Sequence, residues 1–201
     1  VVDIGANDGT SLKAYKNKKI DKIAIDPIIK KFEKFYTPEI KQIANFFPCK
    51  DFEQYLGNKR CKVITSFSMF YDLEDPVSFA KSIAKYLHDE GVWVFEQSYL
   101  PTMLKTNSFD TICHEHLEFY ALKQLDWILD LAGLKIIDAD LNSVNGGSIS
   151  VTATHKSFSN REKIKEDKLK ALRLAEKSER INDVEVWDLF RKRVLAERSN
   201  L

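Results

Sequence analysis

Short apolar stretches recur along most of the chain, each ended by glycine, proline or a small polar residue, which is the rhythm of strands alternating with helices. Residues 1–4 form the first, and it runs into Gly5-Ala-Asn-Asp-Gly9, with Thr10 or Ser11 placed to cap a helix reaching about Asn17. Residues 22–25, followed by Asp26-Pro27, repeat the arrangement, and Pro27 suits the first turn of a helix that shows Ile28, Phe32 and Phe35 on one face. Further strands are expected over 42–47, 63–68 and 92–96. Between the last two, Asp75 and Pro76 offer a cap and a first position to a helix ending near His88, with Gly91 as its stop. A helix over 122–132 stops at Gly133 before a strand at 134–138. Residues 148–154 alternate polar and apolar, as a half-exposed or edge strand does.

Helices between the first six strands and a direct link before the seventh predict an α/β fold with a doubly wound, mostly parallel seven-stranded sheet and an antiparallel last strand. Ligands of such sheets bind beyond the carboxyl ends of the strands, at the switch point beside the first strand. The pattern changes after this. Ser159 with Glu162 and Asn182 with Glu185 read as capping boxes of two helices, striped by Ile164, Leu169, Leu172 and Ala175 and by Val184, Trp187, Phe190 and Val194. The expected division is a ligand-binding domain over 1–156 and a helical extension over 157–201 that begins a further domain. The chain also opens without Met on what reads as a strand in progress, which predicts a fragment.

Composition narrows the function. Thirty-one Lys and Arg against 30 Asp and Glu leave a net charge of +1, so the basic excess used by binders of nucleic acid or anionic membrane is missing. No run approaches the roughly 18 apolar residues of a membrane helix, and no basic-then-apolar leader opens the chain, so a cytoplasmic protein is expected. Cys49, Cys61 and Cys113 are odd in number and scattered, which offers neither a disulfide framework nor a Cys-x-x-Cys metal site and predicts buried apolar thiols.

Two segments carry chemistry. In Asp3-Ile-Gly5-Ala6-Asn7-Asp8-Gly9 two glycines follow an acidic residue, without the Gly-Lys-Ser/Thr of a P-loop or the Gly-x-Gly of a dinucleotide site. That turn suits a ligand without phosphates, and Asp26 after the second strand stands where such folds place a carboxylate on ribose hydroxyls. The second segment is Phe109-Asp-Thr-Ile-Cys113-His114-Glu115-His116, with Asn145-Gly146-Gly147 before the last strand. Two His flanking a Glu hint at zinc, but no third ligand has a convincing spacing, and no metal is expected.

On Asp3, Gly5, Gly9 and Asp26 the sequence resembles the class I S-adenosylmethionine-dependent methyltransferases. The resemblance implies that the turn from Gly5 to Gly9, with Ala6 and Asn7, lies against the methionine part of S-adenosyl-L-methionine, that Asp26 holds the ribose, that Asn45 and Phe46 lie near the adenine, and that Ser66 belongs to the same set. The second segment and the Asn145 turn resemble the C-methyltransferases of nucleotide-linked deoxysugars. That likeness implies Glu115 as the active-site acidic residue and His116 as general base; beside it, Tyr71 or Tyr99 is placed to offer a hydroxyl to the enolate oxygen. It also assigns His114, Tyr99, Asn145, Gly146 and Gly147 to the substrate, a nucleotide-linked keto sugar. Cys113 stands where family members commonly carry Tyr. Complete members also carry an N-terminal cysteine-rich zinc module and a further C-terminal domain.

Methylation at carbon needs a base to remove a proton beside a ketone before the enolate attacks the methyl. A His, whose unperturbed pKa lies near 6.5, is neutral and available at cytosolic pH, and a carboxylate next to it can orient its ring. The same residues leave two alternatives open: methyl transfer to oxygen or nitrogen, and a noncatalytic or NAD-holding domain, the latter disfavoured by the missing Gly-x-Gly.

Overall fold

A computed structural model describes residues 1–160 and 163–200. Its centre is a seven-stranded sheet in the order β3-β2-β1-β4-β5-β7-β6. Strands β1 (Val2–Ile4), β2 (Lys22–Ile25), β3 (Ile40–Ile43), β4 (Cys61–Phe67) and β5 (Leu87–Ser98) pair in parallel. β7 (Ser148–His155) runs antiparallel between β5 and β6 (Leu134–Asn142). The antiparallel last strand is as expected, but it is an inner strand and not an edge. Two of its polar side chains are buried and paired, Ser148 Oγ donating to the Val144 carbonyl at 2.9 Å and Thr154 Oγ1 to the Gly91 carbonyl at 2.7 Å, while Ser150 and Thr152 are half-buried.

Period-two alternation sorts β2 between two apolar clusters, Ile23 and Ile25 joining the larger, Ala24 the smaller with Leu12, Ile29 and Ile40. In the larger cluster Phe70, Trp93, Phe95 and Tyr120 stack around the middle of the sheet, with Phe70 5.3 Å from Phe95 and 5.5 Å from Tyr120. Helix α3 (Pro76–Tyr86) starts as the sequence suggests, Asp75 accepting from the Ser78 amide at 2.9 Å. Gly91, however, stops no helix: it lies inside β5, where a Cβ would stand 2.7 Å from the Cys61 carbonyl oxygen, so it permits the close approach of β4.

Helix α1 (Thr10–Lys13) is a single turn with Gly9 as its left-handed cap, and the chain turns at Asn17, whose side chain accepts from the Lys19 amide. After Pro27 comes a 3-10 turn over Ile29–Phe35, which buries Ile29 and exposes Ile28 and Phe35, because three residues per turn present a different face from 3.6. The remaining helices are α2 (Lys50–Leu56), α4 (Leu100–Thr106), α5 (Leu122–Leu131), α6 (Glu166–Glu179) and α7 (Val184–Asn200). Glu162 of the first expected capping box lies outside the described residues. Glu185 of the second faces the Arg180 guanidinium at 3.6 Å.

The stripes on α6 and α7 are shifted from their expected positions. Leu169, Leu172 and Glu176 face inward on α6, with Ala175 exposed, and Val186, Phe190 and Val194 do so on α7. Val184 and Trp187 face outward. Leu169, Ile181 and Phe190 join the same apolar cluster as the sheet. Among the described residues no helix is long and apolar enough to cross a membrane.

Candidate active site

The carboxyl ends of β1, β2, β3, β4 and β5 share one edge of the sheet, and the chain reverses its winding between β1 and β4. At this switch point Gly5 and Gly9 hold φ of +72° and +73°, a region that costs other residues about 1–2 kcal/mol. The turn they shape aims the Asn7 amide at Asp26 Oδ2, 3.0 Å away. Asp26 Oδ1 accepts from the Ile28 amide at 2.8 Å, so both oxygens are fixed by the backbone while each keeps a lone pair. Asp3 lies buried beneath, its Oδ1 accepting from Thr65 Oγ1 at 2.6 Å. Burial pushes its carboxyl up to about 6, the Asp26 charge adds to this, and the Thr65 hydroxyl opposes it.

Sequence reasoning missed Tyr36 and Met69 here. The Tyr36 hydroxyl donates to the Asn7 carbonyl at 2.8 Å, and its ring covers Gly9 so closely that a Cβ would meet it at 2.6 Å. Burial first, then Asp26, Asp3 and Asp8, hold that phenol well above its ordinary value. Met69 lies over Gly5 in the same way, its Cγ 3.3 Å from where a Cβ would be. Neither belongs to a motif; each arrives from a loop after another strand. After β3, Asn45 Oδ1 accepts from the Phe46 amide at 2.9 Å, and Phe46 is not a core residue but 74% exposed. Ser66 fares differently: it is wholly buried within β4, its hydroxyl accepting from Trp93 Nε1 at 3.0 Å, and is part of the core rather than of the strand-end surface.

The loop after β4 joins the two halves of the edge. It carries Met69 over the glycine turn and, two residues on, Tyr71, whose ring centroid is 4.3 Å from that of His116. The Tyr71 carbonyl accepts from the amides of Leu117 and Glu118 at 3.0 and 3.1 Å, which fastens the His loop to this turn. His116 Nδ1 lies 2.8 Å from the Thr111 carbonyl oxygen. A carbonyl only accepts, so Nδ1 carries a proton, and in the neutral ring Nε2 keeps its lone pair. The ring is therefore oriented by a backbone carbonyl, not by Glu115, which is exposed alongside His114 and Cys113. Cys113 thereby departs from the expectation of a buried thiol, whereas Cys61 meets it. Asp72, also missed, is close enough for the charges of His116 and Glu115 to act on its carboxyl, the first lowering and the second raising it, after burial has raised it most.

Asn145, Gly146 and Gly147 all hold positive φ, at +50°, +79° and +131°. Their turn joins β6 to β7 at the same edge, packed on Thr102 of α4 and on Ser108. Tyr99, by contrast, is buried and donates its hydroxyl to Glu176 Oε1 at 2.6 Å, so that group is engaged within the protein and not presented to a substrate. Two further polar groups went unforeseen. Gln97, on β5 and 1% exposed, and the Tyr120 hydroxyl have no hydrogen-bond partner among the described residues. Buried and unpaired, such groups cost about 1–3 kcal/mol each.

Comparison with known proteins bears on this edge. The family model described as a methyltransferase domain matches residues 1–139. The C-methyltransferase NovU of Streptomyces niveus is 26% identical over 154 residues, covering 76% of this chain and 37% of NovU, so the chain spans little more than a third of that protein. Among solved structures, LepI in complex with SAM superposes with a TM-score of 0.63 at 15% identity, covering 77% of this chain and 42% of LepI. The putative methyltransferase bound to the Haloferax volcanii activator Trm112 gives 0.62 at 15% identity over 77% of this chain and 81% of its own. These structural likenesses concern the fold.

Proposed function

The chain belongs to the methyltransferase domain family, and from that premise we propose that it transfers a methyl group from S-adenosyl-L-methionine to a carbon beside the ketone of a nucleotide-linked sugar. The cofactor fits the residues present: two left-handed glycines, a carboxylate with a free lone pair on each oxygen, and an acidic surround suited to a sulfonium. When bound it supplies an electrophilic methyl. Asp26 holds the ribose hydroxyls, the turn through Gly5, Ala6, Asn7 and Gly9 backs the methionine part, and Asn45 with the exposed Phe46 covers the adenine. Asp3, ionised above about pH 6, acts from beneath as a negative charge.

The observation that carries the reading is the contact of His116 Nδ1 with the Thr111 carbonyl oxygen, which leaves Nε2 of the neutral ring as a proton acceptor on the same sheet edge as the glycine turn. His116 removes the proton next to the ketone, and Asp72, on the loop that also carries Tyr71, favours the imidazolium that results. Tyr71 packs on the imidazole and directs its hydroxyl to the enolate oxygen. Glu115, His114 and the turn from Asn145 to Gly147 hold the sugar, and the resemblance to NovU supports carbon as the acceptor atom. The helices after residue 157 complete the core of the transferase domain, and the three free thiols suit a reducing cytoplasm.

Deuterium exchange beside the ketone of a candidate keto sugar, followed by NMR, tests the base. His116→Ala is expected to lower the exchange rate by about 100-fold or more while S-adenosylhomocysteine affinity, read by calorimetry, stays within about twofold. Undiminished exchange removes His116 as the base. A product methyl resonance on oxygen or nitrogen, rather than carbon, replaces the reaction with the other transfer.

A further inference from the structure

The segment that carries His116 leaves the sheet at Tyr99 and enters α5 at Leu122, and both of its ends come to one side chain. Glu176, in the last turn of α6, is 6% exposed although nearly all its neighbours on that helix face solvent. Its Oε1 accepts from the Tyr99 hydroxyl at 2.6 Å and from the Leu122 amide at 2.5 Å, and its Oε2 accepts from the Lys123 amide at 3.2 Å.

Each contact has a physical reason. Ala121 precedes α5 and has no side-chain acceptor, so the first amides of the helix would be left open; a carboxylate from another helix fills that place and meets the positive end of the helix dipole. Tyr99 is buried and needs a partner for its hydroxyl. Three donors converging on one carboxylate offset the cost of burying its charge.

The neck of the segment is closed again beside this clamp, where the Leu100 amide donates to the Tyr120 carbonyl at 2.9 Å. Within the closed loop, α4 carries Thr102 against Gly147, and Thr111 orients His116. From the far side α7 holds the end of α4, Arg193 donating to the Leu104 carbonyl at 2.5 Å.

We infer that Glu176 is a positioning residue for the reaction: by fastening Tyr99 and the start of α5 together, it sets the placement of the 100–121 segment and so of the His116 imidazole against the cofactor half. The inference rests on His116 as the base for its catalytic meaning. Its geometric content does not. Glu176 lies beyond the stretch matched by the family model, which makes the C-terminal helices part of the site's construction and not an attachment to it.

The test compares the full chain with Glu176→Ala, Glu176→Gln and Tyr99→Phe by hydrogen exchange resolved by segment, by the His116 imidazole resonances, and by S-adenosylhomocysteine affinity. Glu176→Ala is expected to raise exchange across 100–121 by about tenfold or more, shift the His116 resonances, and leave β1 to β4 and the affinity within about twofold. Glu176→Gln keeps an acceptor oxygen and is expected to restore part of the protection and of the shift. If Glu176→Ala does not fold, Tyr99→Phe decides, with a smaller change of the same kind expected. Unchanged exchange and resonances, or a loss spread equally through β1 to β4, overturns the inference. Neither readout needs turnover, so a wrong base assignment shows in the deuterium experiment and leaves this one standing.

Discussion

The two halves of the strand-end edge, proposed to take the cofactor and the substrate, are built in different ways. The first is local: β1, its glycine turn and β2 lie within the opening residues, and the Asn7–Asp26 hydrogen bond closes them over a short loop. The second is assembled from a distance, with the His loop held by Tyr71, the Asn145 turn by Thr102, and both ends of the intervening segment by Glu176. The local half needs special backbone conformations, while the distant half needs partners. Substitutions in the two should therefore fail for different reasons.

The largest effect on stability is expected in the distant half. At Gly147 a Cβ would fall 2.1 Å from Thr102 Cγ2, at a φ of +131°, so Gly147→Ala combines overpacking with backbone strain and should cost about 3 kcal/mol or more by urea denaturation. Gly5→Ala meets only the flexible Met69 side chain and should cost nearer 1 kcal/mol, chiefly through its φ. Equal costs would erase the contrast.

Asp3 gives the next effect, and its sign follows from its environment. Burial raises its carboxyl to about 6 in the folded chain, against about 3.9 unfolded. The native state therefore prefers the protonated form, an advantage present below pH 4 and lost as pH rises through about 6, amounting to about 2–3 kcal/mol. Asp3→Asn should flatten stability between pH 4 and pH 6 and raise it at neutral pH. A cationic ligand favours the charged carboxylate, so S-adenosylmethionine affinity of the parent chain should climb over the same interval and that of Asp3→Asn should not, as calorimetry at several pH values would read.

Asp26→Ala leaves the Asn7 and Ile28 amides without their acceptor and should cost about 1–2 kcal/mol of stability along with at least tenfold in S-adenosylhomocysteine affinity. Phe46→Ala should have the smallest effect: no measurable change in thermal stability, because the ring is exposed, and about 1 kcal/mol of cofactor affinity if it stacks on a base. A stability loss there would return Phe46 to the core.

The local half was the more legible for the same reason that it is local. Asp3, Gly5, Gly9 and Asp26 are read from spacing, since a strand, a tight turn and the next strand leave the chain few ways to arrange them. Tyr36 and Met69 were not, because the crossovers that bring them over the glycines have no sequence signature. Ser66 and Tyr99 show the opposite error. Each is a hydroxyl at a plausible strand end, but Trp93 and Glu176, 27 and 77 residues away, take those hydroxyls into the interior. Gly91 was read as a helix stop because local pattern cannot distinguish a stop from a close approach between strands.

By itself the sequence determined the α/β alternation, the antiparallel final strand, and the tight glycine turn after β1 with a carboxylate after β2, all of which follow from backbone preference and short-range periodicity. Only the tertiary structure decided that the last strand lies inside the sheet, which ring nitrogen of His116 meets the Thr111 carbonyl, and which hydroxyls are taken into the interior. Those outcomes depend on hydrogen-bond partners and packing brought together from distant parts of the chain, where the energy of each contact is set by geometry that no local pattern encodes.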